Sequence, residues 1–241
     1  MTVFAALVAV TLRALLGRRR IVLMVLLASL PIIVGLVIRL GGGRPDPGGI
    51  LDTLVIRTVM PLIALVVGTA AVGSEIEDGT VVFLLVKPID RWLIALAKLV
   101  VAVGLTAVLV VPPIILTGVL VGGFGSESIR LAVGYAFAAI VGGSAYAVAF
   151  TALGILTTRA LIVGLAYTLL WEGVLAGLLE GTRFLSIRQA TLGIAAALTG
   201  EDVGVAPLAP VVAVVIVGVV LAGGFALSTL LLRRFQVRAG D

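Results

Sequence analysis

Six long runs of apolar residues constrain this chain more than any other feature of its sequence. Each run holds about 20 residues or more, and few charged residues interrupt them. A helix of ~20 residues, rising ~1.5 Å per residue, crosses the ~30 Å hydrocarbon core of a bilayer. We therefore predict an all-α integral membrane protein that forms a single domain, 1–241, with six transmembrane helices over 21–40, 51–73, 99–121, 129–156, 160–179 and 208–232.

The composition indicates lipid as the main solvent of the chain and excludes several kinds of chemistry. Of its residues, 61% are hydrophobic and 12% are charged, against roughly 45–50% and 25% in soluble domains. Cysteine and histidine are absent, which excludes disulfides, thiolate metal sites and a Ser-His-Asp triad. The nucleotide-binding motif G-x-x-x-x-G-K-[ST] is absent too. We therefore expect neither catalysis nor ATP binding by this chain itself.

Two segments outside the apolar runs are predicted to lie against the membrane. Residues 1–20 have apolar side chains at helical spacing and a basic side, which is typical of an amphipathic interfacial helix. In the segment 180–207, the apolar stretch 190–198 is too short to span, which favours a re-entrant or interfacial outer helix. Most of the 17 basic residues fall on the side of the N-terminus, which predicts that both ends of the chain are cytoplasmic.

The polar stretch 74–98 is the segment most informative about function. Ser74 and Glu77 fit a capping box, so a helix is predicted to begin at Ser74 and to run into the loop. Phe83 and Leu84 are large apolar side chains on what is predicted to be a cytoplasmic loop. A partner protein, the membrane interface or the N-terminal helix would have to cover them.

The pattern E-x-E-D-G-T-x-x-x-L-L-x-x-P-I-x-R, from Glu75 to Arg91, resembles the first cytoplasmic loop of permeases of the ABC-2 type. These are the membrane subunits of ATP-binding-cassette exporters. The stretches 167–173 and 186–188 also resemble a subgroup of such permeases, and the resemblance extends to the whole six-helix layout. It implies a permease subunit in the inner membrane of a bacterial or archaeal cell, where the chain would form the translocation path.

In this family the first cytoplasmic loop docks into a cleft of an ATP-binding subunit. The resemblance implies two copies of that subunit, which bind ATP and Mg²⁺, and a second permease that completes a homodimer or heterodimer in the lipid bilayer. It implies no cofactor on this chain and no nucleic acid, and it makes the segment 180–207 an outer gate. The docking residues, including the two apolar residues of the loop, are Glu75, Glu77, Asp78, Gly79, Thr80, Phe83, Leu84, Lys87, Pro88 and Arg91.

Two of the charged residues within the predicted spans are candidates for function. Glu172 falls past the middle of the fifth span, where an ionised carboxylate is costly unless it is paired, hydrated or protonated. It either lines the translocation path, forms a structural pair with Arg57, Arg183 or Arg188, or simply lies at the outer rim of the membrane. Arg57 falls near the outer end of the second span, and it either lines the path as well or extends its head group to the interface.

Two other functions are compatible with the sequence. An ATPase-independent channel or ion-coupled carrier would work without a nucleotide-binding partner. A membrane enzyme acting on lipids or peptides would need converging acid, base or nucleophile groups, and the sequence offers only Glu172 with scattered serines and threonines. The residues therefore favour the permease over both.

Overall fold

The computed structural model describes residues 3–43, 46–77, 90–176, 180–200 and 208–234, without the side chains of 18, 19, 74–77, 180 and 234. Every regular element in these ranges is a helix, so the predicted all-α fold is confirmed for the described part of the chain. The helices are α1 (Val3–Leu15), α2 (Arg18–Leu40), α3 (47–77), α4 (Arg91–Gly122), α5 (Ser126–Leu156), α6 (Ala160–Leu175), α7 (Ile187–Thr199) and α8 (Pro210–Arg234). A 3-10 helix, Glu180–Leu185, precedes α7.

Two of these helices change their hydrogen-bonding pattern along their length. In α3, an α-helical turn at Pro47–Ile50 passes into a π-helix at Leu51–Val59 and then into an α-helix at Met60–Glu77. In α6, the α-helix Ala160–Ala166 passes into a π-helix at Tyr167–Leu175. A π-helix bonds residue i to residue i+5, is rare, and occurs frequently at functional sites.

Five helices of the described chain are long and apolar enough to cross a membrane, namely α2, α3, α4, α5 and α8. They coincide with the first four predicted spans and with the last. The predicted span 160–179 is occupied by α6, whose 7 α-helical and 9 π-helical residues extend at most ~24 Å. That length is below the ~30 Å core of a bilayer. Residues 177–179 lie outside the described ranges.

The N-terminal helix is shorter than predicted. α1 ends at Leu15, and the chain then breaks at Gly17, where the backbone adopts an extended conformation. The basic run that follows therefore belongs to the first turn of α2, not to the interfacial helix predicted over 1–20. α1 packs against α3 and α4 and buries Thr11 and Leu15.

The prediction that a helix begins at Ser74 is wrong. α3 continues through this position and is described as far as Glu77, so the capping-box pattern lies in the last turn of an existing helix. The preceding apolar residues of α3 pack along α5, and this packing carries the helix past Ser74. α4 begins at Arg91, earlier than the predicted third span at 99–121.

α5 lies at the centre of the fold, with α3, α4, α7 and α8 packed around it. Small residues allow backbones to approach closely where α3 crosses α5. Gly68 of α3 faces the backbone of Ala147 and Thr151, and Gly154 of α5 faces the backbone of Thr69. In the most apolar stretch of α5, 67% of the residues are buried, against 17% in α2 and in α8. The core is therefore built on α5, and the outer helices expose most of their apolar surface.

The exposed surface of α2 and α8 needs an apolar solvent. Leu26 and Val37 of α2 are 65% and 62% exposed, and Val211 and Val219 of α8 are 76% and 65% exposed. Large contiguous apolar patches are rare on soluble proteins. Lipid removes this cost, so the surface and the five long helices together indicate a multi-pass membrane protein.

Adding one methyl group at Gly68 tests the contact between α3 and α5. The new Cβ would lie 2.9 Å from the carbonyl oxygen of Ala147 and 2.9 Å from Cβ of Phe150. Because these atoms belong to or adjoin a helix backbone, the helices must separate, at a cost of about 1–3 kcal/mol. We expect Gly68→Ala to lower the midpoint of thermal unfolding in detergent.

Gly104→Ala is the matched control, because nothing lies within 4 Å of a methyl group added at this position of α4. It should leave the midpoint unchanged or raise it, since alanine is the better helix former. Equal midpoints for Gly68→Ala and the wild type would contradict the close crossing.

Candidate functional site

The two charged residues singled out within the spans both lie in π-helices. Arg57 belongs to the π-helix of α3 and Glu172 to that of α6. In each case the partner is the residue five positions earlier, Asp52 for Arg57 and Tyr167 for Glu172. Because a π-helix brings residues i and i+5 into register, both polar pairs depend on this local geometry.

Asp52 and Arg57 form a bidentate ion pair. The Nε and Nη2 atoms of Arg57 donate to the two carboxylate oxygens of Asp52, each at 2.8 Å. The side chain of Asp52 is 10% exposed and that of Arg57 is 26% exposed. A planar guanidinium matches a carboxylate in this arrangement. The two charges therefore neutralise each other in a part of the helix that is largely buried.

Glu172 is 1% exposed, and its carboxylate accepts three hydrogen bonds. The hydroxyl of Tyr167 donates to Oε1 at 2.9 Å, and the backbone N–H of Ile187 donates to the same oxygen at 3.0 Å. The hydroxyl of Ser186 donates to Oε2. All three donors are neutral, and two of them belong to the start of α7.

The carboxylate thus lies at the N-terminus of α7. Ser186 is the N-cap of this helix, and its hydroxyl oxygen accepts from the N–H of Gln189 at 3.0 Å. Glu172 satisfies the N–H of Ile187, one of the first-turn donors that have no partner within a helix. The positive end of the helix dipole also favours an anion here. Hydrogen bonds and the dipole together account for a carboxylate in an apolar surrounding.

α7 runs antiparallel to α5 and lies against it. Gly142 of α5 faces Thr191, and Gly134, eight residues earlier, faces Leu198 and Thr199. The N-terminus of α7 therefore lies deeper along α5 than its C-terminus, which ends at Gly200 with a positive φ of 73°. Residues 187–195 are all buried. This burial favours the re-entrant alternative for the segment over the interfacial one, because an interfacial helix would expose a polar face.

Aromatic rings link the site to the centre of α5. Tyr146, fully buried, stacks on Phe150 with ring centroids 5.7 Å apart. Phe150 meets Tyr167 edge to face at 6.2 Å. Such pairs contribute beyond their buried area. The hydroxyl of Tyr167 that binds Glu172 is thus held by a ring packed against α5.

The predicted structural pair between Glu172 and Arg57 is wrong, since Arg57 binds Asp52 and Glu172 accepts from neutral donors. In the described part of the chain Glu172 is not within ion-pair distance of Arg183 or Arg188 either. Arg188 is nevertheless 5% exposed and close enough for its charge to act on Tyr146 and Tyr167. No three acidic side chains in the described ranges converge as metal ligands.

The predicted docking loop is only partly described. Glu75 and Glu77 lie in the last turn of α3, and their side chains are among those not described. Arg91 is the first residue of α4 and is buried, 9% exposed. The remaining docking residues lie outside the described residues, namely Asp78, Gly79, Thr80, Phe83, Leu84, Lys87 and Pro88.

Lys98 joins the two helices that enter and leave this loop. Its side chain is 3% exposed, and Nζ donates to the backbone carbonyl of Ala71 at 2.9 Å. Ala71 lies in the last two turns of α3, and Lys98 in the third turn of α4. A buried ammonium bonded to a backbone oxygen is costly to displace. This hydrogen bond therefore joins α3 to α4 within a few turns of the loop.

Sequence reasoning missed Asp52, Tyr167, Ser186 and Lys98 as members of these sites. For Ser186 a signal exists, because serine followed three residues later by glutamine is a capping box. The other three have no local signal, since their roles depend on π-helical register or on contact between two helices.

Removing the carboxylate of Glu172 should loosen the start of α7. Glu172→Ala leaves two hydroxyls and the Ile187 N–H without their acceptor, and each unmet buried donor costs about 1–3 kcal/mol. We expect faster amide hydrogen exchange across 186–190 and a lower unfolding midpoint. Glu172→Gln keeps one acceptor oxygen and should show a smaller effect. Glu127→Ala, an exposed acidic residue of α5, is the control; unchanged exchange in Glu172→Ala would contradict the capping role.

A double-mutant cycle measures the pair Asp52–Arg57. Breaking a buried pair from one side costs roughly 3–5 kcal/mol, and the 26% exposure of the Arg57 side chain places this pair at the lower end or below. We expect Arg57→Gln to lower the free energy of unfolding and Asp52→Asn to recover part of that loss. Strictly additive effects of the two substitutions would show that the pair is not coupled.

Comparison with models of known protein families and with curated proteins found no match. The resemblance to permeases of the ABC-2 type therefore stays a prediction from the residues of the sequence. Three features of the structure bear on function: the π-helical pairs, the N-terminus of α7 and the hydrogen bond that joins α3 to α4.

Proposed function

We propose that this chain is the membrane-spanning permease subunit of an ATP-driven exporter in the inner membrane of a bacterial or archaeal cell, with both ends in the cytoplasm. It forms the translocation path and takes its energy from a separate ATP-binding subunit, which supplies ATP and Mg²⁺. Five long apolar helices, the absence of a P-loop from the sequence and the loop pattern between α3 and α4 support this proposal.

The observation that carries the proposal is the bond between Lys98 and the carbonyl of Ala71. It joins α3 and α4 within about two turns of the residues at which they meet the segment 78–89. A displacement of the loop by a partner therefore acts on both helices together. A hydrogen bond between the two helices suits a loop that transmits force, whereas a loop that only connects two spans does not need such a bond.

α3 offers a route from the loop to the other end of the protein. Its end at Glu77 adjoins the loop, and its π-helix, Leu51–Val59, contacts α7. The crossing at Gly68 and Gly154 holds α3 closely against α5 along this route. Movement of the loop would thus reach α7, whose N-terminus is held by Glu172.

A second permease subunit fits the outer surface of the chain. α2 and α8 leave most of their apolar surface exposed, whereas α5 is covered by other helices of the same chain. We propose that two permeases, identical or different, enclose the path and that lipid covers the remaining surface. Each permease would bind one of the two ATP-binding subunits.

Charge reversal in the loop tests this function. We expect a candidate P-loop ATPase of the transporter class to co-purify with the wild type, and Glu77→Arg with Asp78→Arg to reduce its recovery by roughly tenfold or more, since like charges then face the docking cleft. Glu127→Arg, which changes the same charge on an exposed turn of α5, should not affect recovery. Unchanged unfolding midpoints in all variants show that the membrane core is intact.

The opposite result would favour the alternative function. If no ATPase binds and the purified chain alone conducts or transports in liposomes, the chain is an ATPase-independent channel or ion-coupled carrier.

A further inference from the structure

The start of α7 holds two buried hydrogen-bond donors that have no acceptor among the described residues. Arg188 is 5% exposed and Gln189 is 2% exposed. Neither the Nε of Arg188 nor the Nε2 of Gln189 has a hydrogen-bond partner in the described chain. Both residues belong to the first turn of α7, whose N-terminus already favours negative charge.

The nearby carboxylate does not supply the missing acceptor. The oxygens of Glu172 accept from Tyr167, Ser186 and Ile187, and neither the Nε of Arg188 nor the Nε2 of Gln189 lies within hydrogen-bond distance of them. Arg188 directly follows Ile187, whose backbone N–H binds this carboxylate. The arginine and the glutamate are therefore neighbours without being an ion pair in the described structure.

Leaving such donors unmet is expensive. A buried donor without an acceptor costs about 1–3 kcal/mol, and more when it is charged. Arginine cannot escape this cost by losing its proton. Buried donors without an acceptor in the first turn of a helix are what is expected of a site whose acceptor comes from a ligand.

The donors define the ligand by its oxygens and its charge. A guanidinium, a carboxamide and a helix N-terminus together match an anion with several oxygens in tetrahedral or planar arrangement, and phosphate is the group that arginine recognises most readily in this way. Within membranes, the N-termini of partial helices bind anionic groups of transported molecules. The first-turn position of Arg188 and Gln189 gives this site the same components.

The helix that carries Glu172 also exposes apolar side chains. Leu169, Leu170 and Val174 flank Glu172 on the π-helix of α6, and they are 56%, 63% and 50% exposed. A hydrocarbon tail could lie along these side chains while its head group meets the donors. The ligand that satisfies both features is an amphiphile with an anionic phosphate head.

We propose that the N-terminus of α7, with Arg188 and Gln189, binds the phosphate head group of an anionic amphiphile. That this amphiphile is the cargo rests on the proposed function, but the binding itself does not require an ATPase. The site would recognise the head group by hydrogen bonds and leave the tail to the exposed face of α6.

Trp171 provides a built-in reporter of the site. It precedes Glu172 in the chain, and its Nε1 donates to the carbonyl of Leu185 at 3.4 Å. The sequence has 2 tryptophans, and Trp92, the other one, lies 45% exposed on α4. Trp92→Phe therefore leaves the fluorescence of Trp171 as the only tryptophan signal.

The experiment titrates the Trp92→Phe protein, held in decyl maltoside, with a short-chain phosphatidylglycerol, with dodecyltrimethylammonium and with a further neutral alkyl glycoside. We expect a saturable change in Trp171 fluorescence with phosphatidylglycerol, at an affinity roughly tenfold or more above the cationic and neutral amphiphiles. Displacement by inorganic phosphate would assign recognition to the head group alone. Persistence of the bound signal in phosphate would assign it to the intact amphiphile.

Substitutions of the arginine complete the test. Arg188→Gln in the same background should weaken phosphatidylglycerol binding by roughly tenfold. Arg188→Lys, which keeps the charge but loses the planar fork, should weaken it less. Arg130→Gln removes an exposed arginine of α5 and should have no effect.

Equal responses to anionic, neutral and cationic amphiphiles would overturn the proposal, as would unchanged binding in Arg188→Gln. If an Arg188 variant does not fold, the comparison of amphiphiles on the Trp92→Phe protein decides alone. Because no ATPase is present, failure of this binding leaves the co-purification result untouched. Loss of ATPase binding likewise says nothing against the head-group site.

Discussion

A polypeptide inside a hydrocarbon layer must satisfy its backbone polar groups from within the protein. The region of α6 and α7 meets this constraint without a continuous helix. α6 is described as far as Ala176, and α7 begins at Ile187 with its first N–H groups in the interior. Glu172 and Ser186 close this gap, because one accepts from the Ile187 N–H and the other from the Gln189 N–H. These two side chains supply the acceptors that make a helix start possible in the interior.

The two π-helices make α7 a point where separate parts of the fold meet. One π-helix, in α3, holds the pair Asp52–Arg57 and contacts α7 along its length. The other, in α6, holds Glu172 against the N-terminus of α7. The hydrogen bonds of a π-helix span five residues and those of an α-helix span four, so a local return to α-helical register would separate each pair. Register in α3 and α6 is thus coupled to the position of one short buried helix.

The sequence predicted the elements that depend on local composition and not those that depend on contact. Apolar length gave the five long spans, since burial of an apolar run needs no knowledge of its neighbours. The capping box at Ser74 misled because a cap is worth about 1 kcal/mol, less than the packing of α3 along α5 that continues the helix. Lys98 was assigned to a loop by its charge, although a backbone carbonyl of another helix accepts from it inside the bundle. The partners of Glu172 lie 5, 14 and 15 residues away in the chain, and no short window contains them.

The glycines of the α3–α5 crossing have a mechanical consequence. Where Gly68 faces the Ala147 carbonyl and Gly154 faces the backbone of Thr69, neither glycine has a side chain that could change rotamer and absorb shear. Two helices in such contact move together as one rigid unit, whereas α2 and α8 leave most of their apolar surface exposed. In a bilayer that thickens, thins or bends, α3 and α5 would keep their relative position, and the peripheral helices α2 and α8 would tilt to match the lipid. The protein thus separates a part that resists the deformation of its solvent from a part that follows it.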